Sequence, residues 1–276
     1  QTVVMKKILL LWVVVFSFVA SRTQMQIRKE LESFQSKYAA LIKKPVQEKS
    51  SGRRLVVEKD SIPPDPPLRY QILLHPQEAA KKGDAEAQMF LGKSYLAGRS
   101  DVPKNSKQAV FWFQKSANQG YAEGEVELAD AYHNGTGVGR DEAKAAFWYQ
   151  KAAAQNNIEA EARLGFVYHQ GRGLSKDEKM SFFWCDKAAH QGSLLAQTMV
   201  GVAYYYGSGV PQDKGRAFMW YQKAAHQGDV MAQYLLGMAY LKGEGVARSK
   251  RDGVFWLQRA AAQGDYNAFK ILQRLQ

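Results

Sequence analysis

Five tryptophans recur at a constant step of 36 residues along the C-terminal two thirds of the chain. They are Trp112, Trp148, Trp184, Trp220 and Trp256. A fixed period of this length is typical of repeat arrays, in which each unit buries its apolar face against the next unit. The tryptophan spacing therefore favours a solenoid over a globular domain with a single central core.

Each unit contains two helical patterns joined by a short glycine turn. In the last unit the apolar spacing predicts a first helix over 232–242 and a second over 252–263, with Gly264 as the C-cap. A glycine inside a helix costs about 1 kcal/mol relative to alanine. Because one recurs inside the first helix, we expect a close helix contact there. These glycines are Gly92, Gly165, Gly201 and Gly237.

The spacing predicts five full repeats of about 36 residues, with a half repeat before them and a C-terminal capping helix after them. The solenoid is expected over 76–276, with repeats at 84–120, 121–156, 157–192, 193–228 and 229–264, and a cap at 265–276. In the cap, the side chains of Ala268, Phe269, Ile271 and Leu272 are expected to be buried on the last repeat.

The repeat residues resemble the Sel-one-like repeat (SLR) family, a relative of the tetratricopeptide repeat. The resemblance rests on the pattern AEAQ-x-x-LG-x-x-Y-x-x-G-x-GV-x-x-D followed by A-x-x-WY-x-KAA-x-QG, which 193–228 and 229–264 meet almost in full. It departs at Ala129, Leu174, Cys185 and Asn156. The resemblance implies an all-α, right-handed superhelical solenoid of helix-turn-helix repeats that acts as an interaction module, as in many exported bacterial proteins.

The first 75 residues differ in composition from the repeats. Residues 1–21 read as a signal peptide or an N-terminal anchor, because Lys6 and Lys7 precede an apolar stretch at 8–20. Residues 22–44 predict an amphipathic helix, laid on the first repeat or forming a short coiled-coil seam. Residues 45–75 predict a charged, proline-rich linker. The chain is therefore expected to be exported and periplasmic, or anchored in the inner membrane if the leader is retained.

The positive charge is concentrated in the leader and the linker. The chain carries a net charge of +12, from 38 Lys and Arg and 26 Asp and Glu. Residues 1–70 hold 13 of the cations and 6 of the acids, which gives +7 and leaves +5 for the rest. A nucleic-acid-binding domain would place its positive charge on the folded face. The charge distribution therefore argues against nucleic acid and allows membrane association through the N-terminus.

Catalytic and metal-binding patterns are not recognised in the chain. It contains no nucleophile elbow, P-loop or H-E-x-x-H pattern, so we expect neither enzyme activity nor a cofactor. His133 and His169 occupy equivalent places in adjacent units and could face one another, but a zinc site needs a third ligand. The single cysteine, Cys185, is interpreted as a buried filler.

The candidate partner-binding residues follow from the resemblance, since the first helix of each unit lines the concave groove in that family. The groove is expected to be polar in the first two units and apolar from Phe166 onward. Two alternatives remain: the cap or the 24–44 helix fills the groove, or Tyr205 packs between helices and only Tyr206 is exposed. The candidates are Phe166, Tyr205, Tyr206, Tyr234, Met238, Leu241, Lys93, Asp130, His133 and His169.

The predicted function is non-catalytic protein binding in the bacterial envelope or periplasm, by a monomer or weak dimer. The resemblance implies a specific role as an immunity protein, whose partner is a phospholipase-type toxin delivered by type VI secretion. An alternative is a membrane-anchored scaffold for envelope assembly. A hydrolase of cell-wall compounds or β-lactams is the less favoured alternative.

Overall fold

The computed structural model describes residues 76–98 and 102–275. This part of the chain is all-α. The leader, the 22–44 helix and the linker lie outside the described residues. The helices are α1 (Pro76–Lys81), α2 (Ala85–Ala97), α3 (Ser106–Asn118), α4 (Ala122–Asn134), α5 (Glu142–Ala154), α6 (Ile158–Gln170), α7 (Glu178–His190), α8 (Leu194–Tyr206), α9 (Lys214–His226), α10 (Val230–Lys242), α11 (Lys250–Ala262) and α12 (Tyr266–Leu275).

Most of the helices begin at a residue whose side chain caps the first turn, although Tyr121 before α4 makes no such hydrogen bond. In the last repeat, the carboxylate of Asp229 accepts a hydrogen bond from the amide of Ala232 at 2.6 Å, and α10 ends at Gly243 in the left-handed conformation (φ 73°). The hydroxyl of Ser249 then accepts from the amide of Asp252 at 3.2 Å, which starts α11. Both helices therefore begin two residues before the predicted starts, because the caps and not the apolar pattern set the boundary.

A glycine inside four of the five first helices allows the two helices of a repeat to touch, and α4 carries Ala129 at this position. A β-carbon added to Gly237 would lie 2.8 Å from Cγ of Leu257 and 3.0 Å from the carbonyl oxygen of Gly253. The equivalent glycines of the other repeats meet Phe113, Cys185 and Tyr221 in the same way. The predicted close helix contact is confirmed.

The glycine turns join neighbouring repeats. The second glycine of each G-x-G turn lies against the first turn of the preceding second helix. A β-carbon on Gly245 would clash with the carbonyl group of Lys214, and one on Gly209 with that of Glu178. The turn is therefore an inter-repeat contact as well as a positive-φ helix end.

A buried hydrogen-bond ladder recurs along the array, and each of its bonds joins the two helices of one repeat. The fourth residue of each first helix is buried, and it accepts a hydrogen bond from the glutamine that ends the second helix. For example, Nε2 of Gln227 donates to Oε1 of Gln197 at 2.9 Å, and Nε2 of Gln263 donates to Oε1 of Gln233 at 2.8 Å. Because the glutamine at 227 and its acceptor lie 30 residues apart, each bond spans almost a full repeat.

The cap helix α12 packs against α11 and continues the array. Ala268 is fully buried in a cluster with Leu257 and Ala260, and Ile271 and Leu272 pack against it. The predicted burial of Phe269 is wrong, since 49% of its surface is exposed. It lies on the outer side of the helix, one position beyond the buried Ala268.

Candidate partner-binding surface

The first helices of the repeats lie side by side and form one continuous surface. Contacts between α2 and α4 and between α6 and α8 show this arrangement directly. We define the first-helix surface as the side chains of α2, α4, α6, α8 and α10 that are not fully buried. All ten predicted partner-binding residues lie on these five helices. Their surroundings differ strongly between the first three helices and the last two.

The first half of the surface is charged, and its charges are paired. Nζ of Lys93 lies 2.7 Å from Oε1 of Glu127. Asp130 accepts a hydrogen bond from the Tyr149 hydroxyl and lies 3.9 Å from Arg163, which also pairs with Glu159 at 2.8 Å. These contacts make Lys93 and Asp130 members of a network within the protein.

A shallow cavity of about 60 Å³ opens beside this network. It is lined by Leu96, Glu127, Asp130, Ala131, Asn134 and Thr136. Burial raises the pKa of Glu127 above its ordinary value, against the attraction of Lys93, and the neighbouring Asp130 carboxylate adds to the increase. The cavity is too small for a drug-sized ligand, so it can hold at most one side chain of a partner.

Each of the two histidines contacts a glutamate of its own repeat. Nδ1 of His133 lies 2.7 Å from Glu142, and Nδ1 of His169 lies 3.0 Å from Glu178. Each glutamate begins the second helix of the same repeat. Burial of the Glu142 carboxyl favours a higher pKa, but hydrogen bonds from Arg140 and His133 lower it below the ordinary value. Each histidine therefore forms a hydrogen bond with a glutamate of its own repeat.

Over residues 76–98 and 102–275, no group of three or more His, Cys, Asp or Glu side chains is placed to hold a metal ion.

Tyr205 and Tyr206 lie in different environments. The Tyr205 hydroxyl donates to Oε2 of Glu244 at 2.7 Å, which raises the pKa of Tyr205 to about 12, and Nζ of Lys214 lies 5.3 Å from the ring centroid. Tyr206 is 69% exposed and meets the Tyr205 ring edge to face at 4.8 Å. Tyr205 therefore packs at a repeat boundary and Tyr206 is exposed, which is the second of the two alternatives considered for the groove.

The apolar half of the surface lies on α8 and α10. Phe166 and Met238 are half-buried on the helix faces. Tyr234 and Leu241, by contrast, pack against the cluster of Leu257 that α12 helps to cover. Both residues are half-buried, and their part in partner binding stays a prediction.

Sequence reasoning missed two exposed apolar residues on the same helices. Leu195 is 41% exposed and Met231 is 57% exposed. Each is the second residue of its helix, where α2, α4 and α6 carry Glu86, Glu123 and Glu159. A comparison of this one register position along the sequence would have found the change from acidic to apolar.

Known protein families and solved structures agree with this architecture. The Sel1 repeat model matches five successive segments, 85–121, 122–157, 158–193, 194–229 and 230–265. The chain belongs to the Sel1 repeat family. The matched segments begin one residue after the expected repeats. Sel1 repeats mediate protein–protein interactions, which is the coarse functional class of this chain.

Two solved structures illustrate the likeness. A Sel1 repeat protein from Oxalobacter formigenes is 33% identical, with a TM-score of 0.68, over 74% of this chain and 80% of that one. A protective antigen present in uropathogenic Escherichia coli strains, with an SLR fold, is 37% identical with a TM-score of 0.67, over 75% of this chain. The match covers 43% of that longer chain. No curated protein matches this Sel1 repeat chain.

Proposed function

We propose that this Sel1 repeat protein is a non-catalytic binding module whose protein partner docks on the first-helix surface at α8 and α10. The observation that carries the proposal is the exposure of three apolar side chains on these two helices. Leu195, Tyr206 and Met231 expose 41%, 69% and 57% of their surfaces. Exposed apolar groups that are grouped on one face of a soluble protein mark interaction sites.

The other half of the first-helix surface suits a basic region of the same partner. Outside its buried positions, helix α4 carries Glu123, Glu127 and Asp130 and has no Lys or Arg. Opposite charges across an interface fix the orientation of the partner and raise the rate of association. A partner segment that is apolar at one end and basic at the other would therefore bind in one direction along the array.

The test compares two double variants of the full chain as bait in envelope extracts. Tyr206→Ala/Met231→Ala removes exposed apolar side chains from the proposed site. Tyr266→Ala/Phe269→Ala removes side chains that are 63% and 49% exposed on α12. A partner that is lost only with the first variant supports the proposal. Equal retention by both variants, or no specific partner, contradicts this docking site.

The finer proposal is that the protein acts in the periplasm as an antagonist of a phospholipase-type toxin. It is supported by the leader expected at 1–21 and by the family resemblance of the repeats. The test is inhibition of the lipase activity of a toxin encoded beside this gene, with Tyr206→Ala/Met231→Ala as the variant that loses inhibition. Undiminished lipase activity in the presence of excess wild-type protein would contradict this role.

A further inference from the structure

A row of exposed apolar side chains also runs along the second helices, on a surface that the proposed function does not use. One lies immediately before each tryptophan, at the same position of α3, α5, α7, α9 and α11. They are Phe111, Phe147, Phe183, Met219 and Phe255, and their exposed fractions are 48%, 52%, 54%, 66% and 49%. We call the exposed side of these five helices the second-helix surface.

Every member of the row stands between two cations. One is a helical turn earlier in the sequence and the other is four residues later, so both lie on the same helix face as the apolar residue. The earlier cations are Lys107, Lys144, Lys179, Arg216 and Arg251. The later cations are Lys115, Lys151, Lys187, Lys223 and Arg259.

The cations lie close to the aromatic rings. Nζ of Lys115 is 4.8 Å from the centroid of Phe111 and 5.3 Å from that of Trp112. In the last repeat, the guanidinium of Arg259 is 5.7 Å from the Phe255 centroid. The alkyl stems therefore extend the apolar row, while the charged heads remain at its margin.

Some of these cations are paired with acids. Lys144 lies 3.2 Å from Asp141, Arg216 lies 3.4 Å from Asp213, and Lys187 lies 2.8 Å from Glu161. The five second helices nevertheless contain twelve Lys and Arg against four Asp and Glu, a net charge of +8. Including the three aspartates that cap them leaves +5.

The first helices have the opposite charge. They contain three Lys and Arg against seven Asp and Glu, and without the fully buried Glu125 and Glu161 the three cations face five acids, a balance of −2. The first and second helices of the array therefore carry net charges of opposite sign. An anionic surface is attracted to the second helices and repelled from the first.

We propose that the second-helix surface binds an anionic lipid bilayer, as a peripheral contact. The cations would lie among the headgroups, and the row of phenylalanines and Met219 would reach the boundary of the acyl chains, as aromatic and basic residues do in interfacial proteins. The contact leaves the first-helix surface on the far side, where a protein partner can reach it. This proposal rests on different residues from the proposed function and stands or falls independently of it.

A membrane fits this surface better than an acidic protein does. The same group of one apolar side chain and two cations recurs in all five repeats, and none of the five is distinguished from the others. A fluid layer of identical headgroups presents such a uniform counterpart. About half of each apolar side chain is exposed, which suits shallow insertion.

The test is co-sedimentation of the full chain with vesicles of phosphatidylcholine, with and without roughly one third phosphatidylglycerol. We expect the wild type to partition to the anionic vesicles. Phe111→Ser/Phe183→Ser/Phe255→Ser should reduce the partition coefficient at least tenfold, since each side chain loses its apolar burial. Lys115→Glu/Lys223→Glu should reduce it by about the same factor, since each reversal removes one attraction and adds one repulsion.

The matched control is Leu195→Ser/Tyr206→Ser/Met231→Ser, which removes three exposed apolar side chains from the first-helix surface. Because all variants keep the same leader, its contribution cancels, and this control should bind like the wild type. Circular dichroism confirms folding, and the lysine variant decides the test if the phenylalanine variant unfolds. Equal binding by wild type and both second-helix variants would overturn the proposal. Binding to polyglutamate without binding to vesicles would also overturn it and would indicate an acidic protein instead.

Discussion

Glu125 is expected to weaken the fold, and its replacement by glutamine should make the protein more stable. It occupies the buried ladder position that is glutamine in three of the five repeats, at Gln88, Gln197 and Gln233. The Glu125 side chain is 1% exposed. Nε2 of Gln155 donates to Oε2 of this carboxylate at 2.8 Å. The variant Glu125→Gln keeps this hydrogen bond and removes a buried charge.

The size of the gain follows from the three glutamine repeats. There the side-chain amide also donates to a backbone carbonyl eight residues earlier: Gln88 to Ala80 at 3.1 Å, Gln197 to Ala189 at 3.3 Å and Gln233 to Ala225 at 3.2 Å. A carboxylate cannot donate such a bond. One added buried hydrogen bond contributes about 1 kcal/mol.

Two further effects of the substitution oppose one another. Relief of carboxylate burial adds to the gain, while loss of the attraction to the exposed Lys151 removes at most about 1 kcal/mol. The expected net gain in the free energy of unfolding is about 1 kcal/mol, or roughly 2–4 °C in Tm for a unit of this size.

The pH dependence provides the sharper assay. Burial raises the pKa of Glu125 above its ordinary value, against the opposing effects of Lys151 and Gln155. The folded state therefore holds this proton more tightly than the unfolded state does. The contribution of Glu125 to stability is then greatest below the ordinary carboxylate pKa and is lost as pH rises through the folded pKa. Thermal unfolding by circular dichroism should show the gain at pH 7 and its disappearance near pH 4.

A matched substitution separates this reasoning from a general preference for glutamine. Glu161 is also fully buried at the ladder position, but Nζ of Lys187 pairs with it at 2.8 Å. Glu161→Gln breaks this pair, so we expect no gain at pH 7. If Glu125→Gln is neutral or destabilising at pH 7, or if its gain persists unchanged in acid, the buried charge is not the weakness described here.

Three other predictions concern single contacts. Tyr149→Phe should lower the free energy of unfolding by about 1.5–3 kcal/mol, because the buried hydroxyl donates to the Asp130 carboxylate. Tyr221→Phe should be nearly neutral, because the Tyr221 hydroxyl has no hydrogen-bond partner among the described residues. Urea unfolding of the two variants compares these free energies. Gly165→Ala should cost about 1–3 kcal/mol in the same assay, since the new methyl group would clash with Cys185. Burial raises the pKa of the Cys185 thiol to about 12. Alkylation of this thiol at pH 8 should therefore be at least about a hundredfold slower in the native protein than in urea. Equal rates would show that the thiol is accessible in the folded state.

The repeated interior explains why the fold could be predicted from the sequence. A register that recurs at a fixed step identifies which residues must occupy the same environment, and Gly237 and its equivalents were correctly assigned to helix contacts for this reason. The helix starts were placed two residues late because the capping residues Asp229 and Ser249, and not the apolar residues, set them. The second role of Gly245, as a contact between repeats, is not visible locally, since its neighbour lies 31 residues away at Lys214.

The candidate site was harder to predict, because a position on the first helix does not by itself give the direction of the side chain. His133, Tyr205 and Leu241 share one register position near the end of the first helix. Here the chain turns back, so residues at this position meet the start of the second helix or the turn of the next repeat. Their polar or aromatic character suggests binding, but their partners lie within the protein.

The first-helix surface varies from repeat to repeat and the second-helix surface does not, so the two surfaces suit different kinds of partner. The glycine contacts and the buried ladder recur along most of the array, so a binding surface can differ between repeats through their exposed positions. On the first helices they do differ, from Glu123 and Glu159 to Leu195 and Met231 at one register position. A graded surface can distinguish the two directions of a partner, as specific protein binding requires. The second-helix surface repeats one pattern five times, so it cannot encode direction and suits a uniform counterpart. The protein-binding and lipid-binding tests should therefore respond to different variants, and a single variant that abolished both without unfolding the chain would contradict this division.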